Sequence, residues 1–146
     1  MSLRLDDQLC FSLYAASRAV TAVYGPLLAP LGLTYPQYLV MLVLWESDGV
    51  SVKAIGERLQ LDSGTLTPLL KRLEAQGLVT RRRSAEDERV VEIRLSADGK
   101  RLERRAKAIP EKLACKMGLP LADLARLRGE LHALAAAARA LPEEPA

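Results

Sequence analysis

Residues 51–96 read SVKAIGERLQLDSGTLTPLLKRLEAQGLVTRRRSAEDERVVEIRLS, and the fold turns on them. Ser51 can cap a short helix whose apolar residues are Val52, Ile55 and Leu59. Gln60, Leu61 and Asp62 make a tight connection, and Asp62 can cap a second helix with Leu66, Leu69, Leu70 and Leu73 on its apolar face. Gly77 suits the position that ends such a helix. Residues 78–82 and 89–95 then read as two strands; in the second, Val91, Ile93 and Leu95 alternate with Val90, Glu92 and Arg94. The residues between them, 83–88, are polar and turn-like. A short helix, a tight turn, a capped helix and a hairpin predict a helix-turn-helix followed by a wing. Pro68 is the local conflict, because inside a helix it removes a hydrogen bond. Either the helix is distorted in its first turns, which is the expectation, or regular structure begins near Thr67.

The segments on either side are helical. Over residues 6–28, Leu9, Leu13, Ala16, Val20, Val23 and Leu27 form one seam, with Asp6 or Asp7 as N-cap and Pro26, Pro30 and Gly32 as terminators. Thr34 and Gln37 form a capping box with Pro36 between them. The run that follows, 38–45, is apolar nearly all round, so a helix there must be buried; Trp45 is expected in the core. Ser96 is expected to cap one long helix with Leu102, Ala106, Ile109 and Leu113 on a face, broken at Gly118 and Pro120. A last helix carries Leu124, Leu127, Leu131, Leu134, Ala138 and Leu141 at alternating spacings of three and four. The fold class is therefore mainly α with a small β wing. The expected organisation is a single domain over residues 1–146, with the DNA-binding part at 51–95 and dimerisation helices at 5–30 and 96–141. The first and last helices carry more apolar surface than one small winged domain uses, and pairing two copies is the simplest way to bury it.

Bulk composition narrows the class. Hydrophobic residues make up 49% of the 146 and aromatics 4%, so the core must be built from Leu, Val and Ala. The net charge of +3 is mild, but residues 71–105 hold eleven Lys or Arg against seven Asp or Glu. No apolar run reaches the length of a membrane span, and residues 1–10 show no signal-peptide core. Two cysteines, 105 residues apart, fit neither a disulfide scaffold nor a metal site, so the expectation is a cytoplasmic chain with no metal and no cofactor.

A helix-turn-helix offers the first turns of its second helix to the major groove. The residues facing outward there are Ser63, Gly64, Thr65 and Thr67, small enough for close approach and able to bond phosphates or base edges; Lys71 and Arg72 follow. The wing adds Arg81, Arg82, Arg83 and Arg89, suited to a narrow minor groove. A run of charge alone is more often a solvated strand end; its place after a helix-turn-helix favours contact with duplex DNA.

These residues resemble the MarR family of bacterial repressors. Asp87-Glu88-Arg89 leading into residues 91–99 is similar to that family's wing signature. The resemblance implies that Asp87 orients the wing and Arg89 enters the minor groove. A narrower resemblance, to the organic-hydroperoxide-sensing OhrR subgroup, rests on residues 9–15 (LCFSLYA), 33–38 (LTYPQY) and 61–72 (LDSGTLTPLLKR). It implies that Cys10 is the peroxide-reactive thiol, that Tyr14, Tyr24 and Tyr35 line its pocket, and that Cys115 of a partner subunit resolves the oxidised Cys10 as a disulfide. It also assigns Pro68 to the recognition helix. Tyr14 shares a helical face with Cys10, whereas Tyr24, fourteen residues on, lies roughly 21 Å along a straight helix. Any contact with it must come from the other subunit or from a broken helix.

Two other function classes compete. A MarR-like regulator could respond to a phenolic or other small ligand, with Cys10 a structural apolar residue. An enzyme such as a thiol peroxidase finds no support, since there is no C-x-x-C, no βαβ pattern and no Gly-rich phosphate loop. His132, the only histidine, is expected at an exposed helix position, which argues against a His-assisted dyad.

Overall fold

The computed structural model describes residues 2–142, and the chain divides into two compact units, Met1–Ile109 and Pro110–Ala146. A 3-10 turn at Leu5–Asp7 precedes helix α1, Leu9–Leu28. Helix α2, Tyr35–Glu46, strand β1, Val50–Ser51, helix α3, Val52–Leu59, and helix α4, Ser63–Ala75, follow in order. Strands β2, Val79–Arg83, and β3, Val91–Leu95, form the hairpin. Helix α5, Ala97–Ala106, helix α6, Ile109–Met117, and helix α7, Leu121–Arg139, complete the described chain. The strands make an antiparallel sheet in the order β1-β3-β2, with Ile93 opposite both Val50 and Arg81.

The core of the first unit forms around α2, where Val40, Met41 and Leu44 are fully buried. Ile55 of α3, Leu66, Leu70 and Leu73 of α4, Val79, Ile93, Leu102, Ala106 and Ile109 close over it. The helix starts where the capping box requires: Gln37 N–H donates to Thr34 Oγ1 at 3.4 Å, and Thr34 N–H donates to Gln37 Oε1 at 2.9 Å. Ser51 and Asp62 cap α3 and α4 by accepting from the N–H of Ala54 and Thr65. Gly77, at φ +73°, ends α4; its N–H donates to Glu74 and the Leu78 N–H to Leu73. The second unit presents α7 with no buried residue; Leu127, Leu131 and Leu134 are each about 40% exposed.

Several expectations are corrected. Neither Asp6 nor Asp7 caps α1: both lie in the 3-10 turn, and Gln8 occupies the cap position without a side-chain cap bond. Its amide instead donates back to the Ser2 and Arg4 carbonyls. Pro26 does not end α1 but lies inside it, and the stop comes at Gly32, φ +68°, after a 3-10 turn at Ala29–Leu31. Pro68 lies inside α4, as the resemblance implied, and the helix runs from Ser63 onward rather than starting near Thr67. The single long helix expected after Ser96 is two, with the break at Lys107 and Ala108. Pro110 fits it, because it has no N–H for the Ala106 carbonyl and stands in the first turn of α6, where that donor is not needed. Strand β1 was not expected; two residues are too few to show alternation. The strands begin at Val79 and Val91 rather than at 78 and 89. Leu141 lies beyond the end of α7, and Trp45 is half-buried with its indole N–H donating to the Gly99 carbonyl at 2.9 Å.

Gly99 is where α5 meets the hairpin. A Cβ there would run into the Leu78 carbonyl, whereas one at Gly129 of α7 would meet open space. Gly99→Ala should therefore cost about 1–3 kcal/mol and lower the urea midpoint. Gly129→Ala should be neutral or stabilising by about 0.5–1 kcal/mol. Equal midpoints for the two variants would refute the close packing of α5 on the hairpin.

Candidate nucleic-acid interface and thiol site

The turn between α3 and α4 is tight because backbone groups meet there. The Leu61 N–H donates to the Gly56 carbonyl at 3.0 Å, Gln60 adopts the left-handed φ of 57°, and a Cβ on Gly56 would lie 2.9 Å from the Leu61 carbonyl. Asp62 Oδ1 accepts from the Thr65 N–H at 2.7 Å, and that bond holds its carboxyl below the ordinary carboxylate range. The cap fixes the first turn of α4 with Ser63, Gly64 and Thr65 exposed and Thr67 half-buried. Lys71 and Arg72 are exposed further along, and Pro68 offers no N–H to the Gly64 carbonyl.

The four wing arginines differ in their surroundings. Arg81 Nε pairs with Glu74 Oε2 at 2.9 Å, which ties β2 to α4. Arg83 donates to the Glu88 carbonyl within the wing tip. Arg82 is exposed and has no ion-pair partner among the described residues. The Arg89 side chain is 91% exposed, yet aimed: Asp87 Oδ1 accepts from its backbone N–H at 3.0 Å and from its Nε at 3.2 Å. Those bonds, the backbone one foremost, lower the Asp87 carboxyl from its ordinary value. Between α3, the start of α4 and the wing lies an open hollow of about 860 Å³, bordered by Lys53, Asp62, Thr67, Arg81 and Arg89.

Cys10 is the second residue of α1 and exposed, and Tyr14, one turn on, is 61% exposed with the Arg18 guanidinium 5.5 Å from its ring. Tyr24 and Tyr35 meet with ring centroids 4.6 Å apart, and Tyr38 joins Tyr24 at 5.8 Å. Burial first, then the neighbouring Tyr35 and Tyr38, push the Tyr24 phenol up to about 12; burial also raises Tyr35 and Tyr38. All three hydroxyls keep their protons at neutral pH and remain donors. The structure thus brings Tyr24 and Tyr35 together but leaves Cys10 and Tyr14 near the other end of one continuous helix. Tyr38 was missed by the sequence reading; its position three residues after Tyr35 on one helical face was the available signal. Cys115 is exposed on α6, beside an apolar hollow formed with Pro110, Ala114, Leu119 and Leu121. Among the described residues no group of three His, Cys, Asp or Glu is placed to hold a metal ion, and no single helix is long and apolar enough to cross a membrane.

Known proteins share this fold. Residues 22–106 match the family model described as Transcriptional regulator SarA/Rot. An Organic hydroperoxide resistance transcriptional regulator of Bacillus subtilis (strain 168) is 52% identical over 132 residues, covering 90% of each chain. The solved structure of reduced AbfR bound to DNA superposes with a TM-score of 0.73 at 38% identity, covering 90% of this chain and 91% of that one. AbfR is also known overoxidised on DNA and in a disulfide form, with TM-scores of 0.73 and 0.64. A MarR-family transcriptional regulator from Rhodococcus sp. RHA1 superposes at 0.81 with 27% identity, over 92% of this chain and 96% of that one. The chain belongs to the MarR family of winged helix-turn-helix transcriptional regulators. Its branch is that of the organic hydroperoxide resistance regulators.

The tyrosine cluster makes this MarR-family fold sensitive to alkali. Between the ordinary phenol value of 10 and the raised value of about 12, folded Tyr24 keeps a proton that the unfolded chain has lost. The resulting stability is complete below pH 10 and falls as pH rises toward 12. Tyr24→Phe should flatten that fall, measured as the urea midpoint at successive pH values, with Tyr35 and Tyr38 retaining the remainder. A variant with the same alkaline slope as wild type would contradict the burial of this hydroxyl.

Proposed function

We propose that the chain is a cytoplasmic, homodimeric repressor that holds duplex operator DNA while Cys10 is reduced and releases it when an organic hydroperoxide oxidises Cys10. The observation that carries the reading is an exposed thiol in the first turn of α1, in a chain matching an organic hydroperoxide resistance regulator over 90% of its length. The thiol's exposure leaves the sulfur open to a hydroperoxide, as a reactive thiol must be. The regulator acts as a binding switch and turns over no substrate.

The DNA-binding part is residues 51–95. Ser63, Gly64, Thr65 and Thr67 enter the major groove, with Lys71 and Arg72 on the phosphates. Arg89, aimed by Asp87, enters the minor groove; Arg82 and Arg83 flank it, and Arg81 contributes by holding the wing against α4. Dimerisation uses helices within 5–30 and 96–141. Support for it comes from the exposed apolar surface: Leu9, Phe11 and Tyr14 on α1, and Leu127, Leu131 and Leu134 on α7. Pairing also answers the geometry of α1. Tyr24 stands about 21 Å from Cys10 along one helix, so a sensor pocket built from Cys10, Tyr14, Tyr24 and Tyr35 takes its parts from both subunits.

The chemistry balances in two steps. The Cys10 thiol attacks the peroxide oxygen, giving a sulfenic acid and the alcohol of the hydroperoxide. The Cys115 thiol of the second subunit then attacks that sulfur, forming a disulfide and releasing water. AbfR is known overoxidised while bound to DNA and, separately, in a disulfide form, which supports the disulfide as the form that lets go. Drawing α1 of one subunit toward α6 of the other changes the spacing of the two recognition helices, so both half-sites are missed together.

Arg89→Ala should weaken binding to a duplex selected by the reduced protein, and reduce the slope of log affinity against log salt by about one. An unchanged affinity and slope would remove Arg89 from the interface. Cys10→Ser should stay on DNA under cumene hydroperoxide, while wild type dissociates and runs as a covalent dimer on non-reducing gels. Cys115→Ser should give no covalent dimer; if it still releases DNA fully and reversibly, Cys115 is not the resolving thiol. Release of Cys10→Ser to the wild-type extent would replace the redox reading with a ligand-responsive one.

A further inference from the structure

The corner joining α1 to α2, residues 29–34, is held by side chains from elements far along the chain. Gln76, at the C-terminal cap of the recognition helix, donates its Nε2 proton to the Gly32 carbonyl at 2.8 Å. Its Oε1 accepts from Gln37 Nε2 at 3.2 Å, and Gln37 Oε1 in turn accepts from the Thr34 N–H at 2.9 Å. Gln37 is 4% exposed, the one buried polar side chain among the described residues. From α5, Arg105 donates to the Pro30 carbonyl at 2.7 Å. The end of α4, the start of α2 and α5 therefore all fasten to the same corner.

The amide bonds run in one direction, from the Thr34 N–H through Gln37 and Gln76 to the Gly32 carbonyl. Each amide presents a donor at one end and an acceptor at the other, so turning either one breaks both of its bonds. Loss of Gln76 would leave a buried Gln37 donor unpaired. The corner is thus tied to the end of α4 in one arrangement only.

Neither DNA reading nor peroxide chemistry needs these contacts. Gln76 stands about 20 Å along the helix from Ser63. The corner lies at the opposite end of α1 from Cys10. Its position is that of a joint: α1 is one helix of 20 residues, about 30 Å long, and runs straight into it. A tilt of α1 imposed at the Cys10 end must move its last turn, and the corner is fastened to that turn.

We propose that Gln76 and Arg105 are positioning residues that couple the oxidation state of the first helix to the seating of the recognition helix. The inference rests on the redox reading above. The two are separable, because oxidation of Cys10 and loss of DNA affinity are different measurements.

The test is the ratio of DNA affinities before and after cumene hydroperoxide, on a duplex selected by the reduced protein, with the oxidised fraction of Cys10 measured by mass spectrometry in the same samples. Gln76→Glu keeps the acceptor for Gln37 and removes the donor to Gly32. Arg105→Met removes the donor to Pro30, and Arg105→Lys restores one. Coupling between sites is commonly worth about 5–150-fold, so Gln76→Glu with Arg105→Met should shrink the wild-type ratio about tenfold or more. Cys10 should oxidise as in wild type, and Arg105→Lys alone should keep most of the ratio. If the double variant binds DNA more weakly in both states by the same factor, the clamp only stabilises the fold and the proposal fails. Gln76→Glu alone, melting near wild type, supplies the reading if the double variant unfolds. Wild-type protein that holds DNA equally well with Cys10 oxidised would overturn the redox reading, and this proposal with it.

Discussion

Helix α2 is apolar nearly all round, and the core of the first unit forms because most of that helix must be kept from water, Leu42 alone of its leucines being left 40% exposed. Its Val40, Met41 and Leu44 retain no accessible surface. Fully burying side chains of this size is worth about 1.5–3 kcal/mol each relative to leaving them in water. No single neighbour can cover a helix on all sides. Residues of α3, α4, the hairpin and α5 share the task, and the elements that read DNA therefore pack on the same core as the element that follows α1. A helix-turn-helix with its own separate core would have no physical reason to sense what happens at the first helix.

The start of α2 has a second role. Its capping box fixes where the helix begins, and with it where Tyr35 and Tyr38 stand. Those two rings and Tyr24 form a cluster whose hydroxyls, partly withdrawn from water, stay protonated. The same Gln37 that completes the box passes a hydrogen bond to Gln76. One local motif thus sets the helix register, the aromatic cluster and the tie to the recognition helix.

Much of this was legible in the sequence, for reasons that can be named. Ser51, Asp62, Thr34 and Gly77 are residues whose short-range chemistry fixes helix ends whatever surrounds them, and each occupies the expected place. Prolines were harder, because their effect depends on what else holds the helix. Pro26 and Pro68 are absorbed within helices, while Pro110, which the helical pattern passes over, coincides with a break. Strand β1 is two residues long and owes its existence to β3, so nothing local announces it. The site divides the same way. Arg89 beside Asp87 is a neighbouring pair that a motif can carry. The pairing of Arg81 with Glu74, and the convergence of Gln37, Gln76 and Arg105 on one corner, join residues that only the folded chain brings together.

Pro68 divides α4 more deeply than its uninterrupted helical backbone suggests. Backbone hydrogen bonds make a helix unwind residue by residue from its ends, and a proline removes a rung from that ladder. Ser63, Gly64 and Thr65 lie on the far side of the missing rung, held by the Asp62 cap. Leu69, Leu70 and Leu73 lie on the near side, anchored in the core. Leu66, 1% exposed, anchors the front turn in the same core, so the missing rung lies between two anchored segments. Only Ser63, Gly64 and Thr65, which are exposed, are left to the Asp62 cap, and their amides should exchange with solvent deuterium well before those of the C-terminal half. The part of the helix that turns its amides outward is then the least costly to reshape.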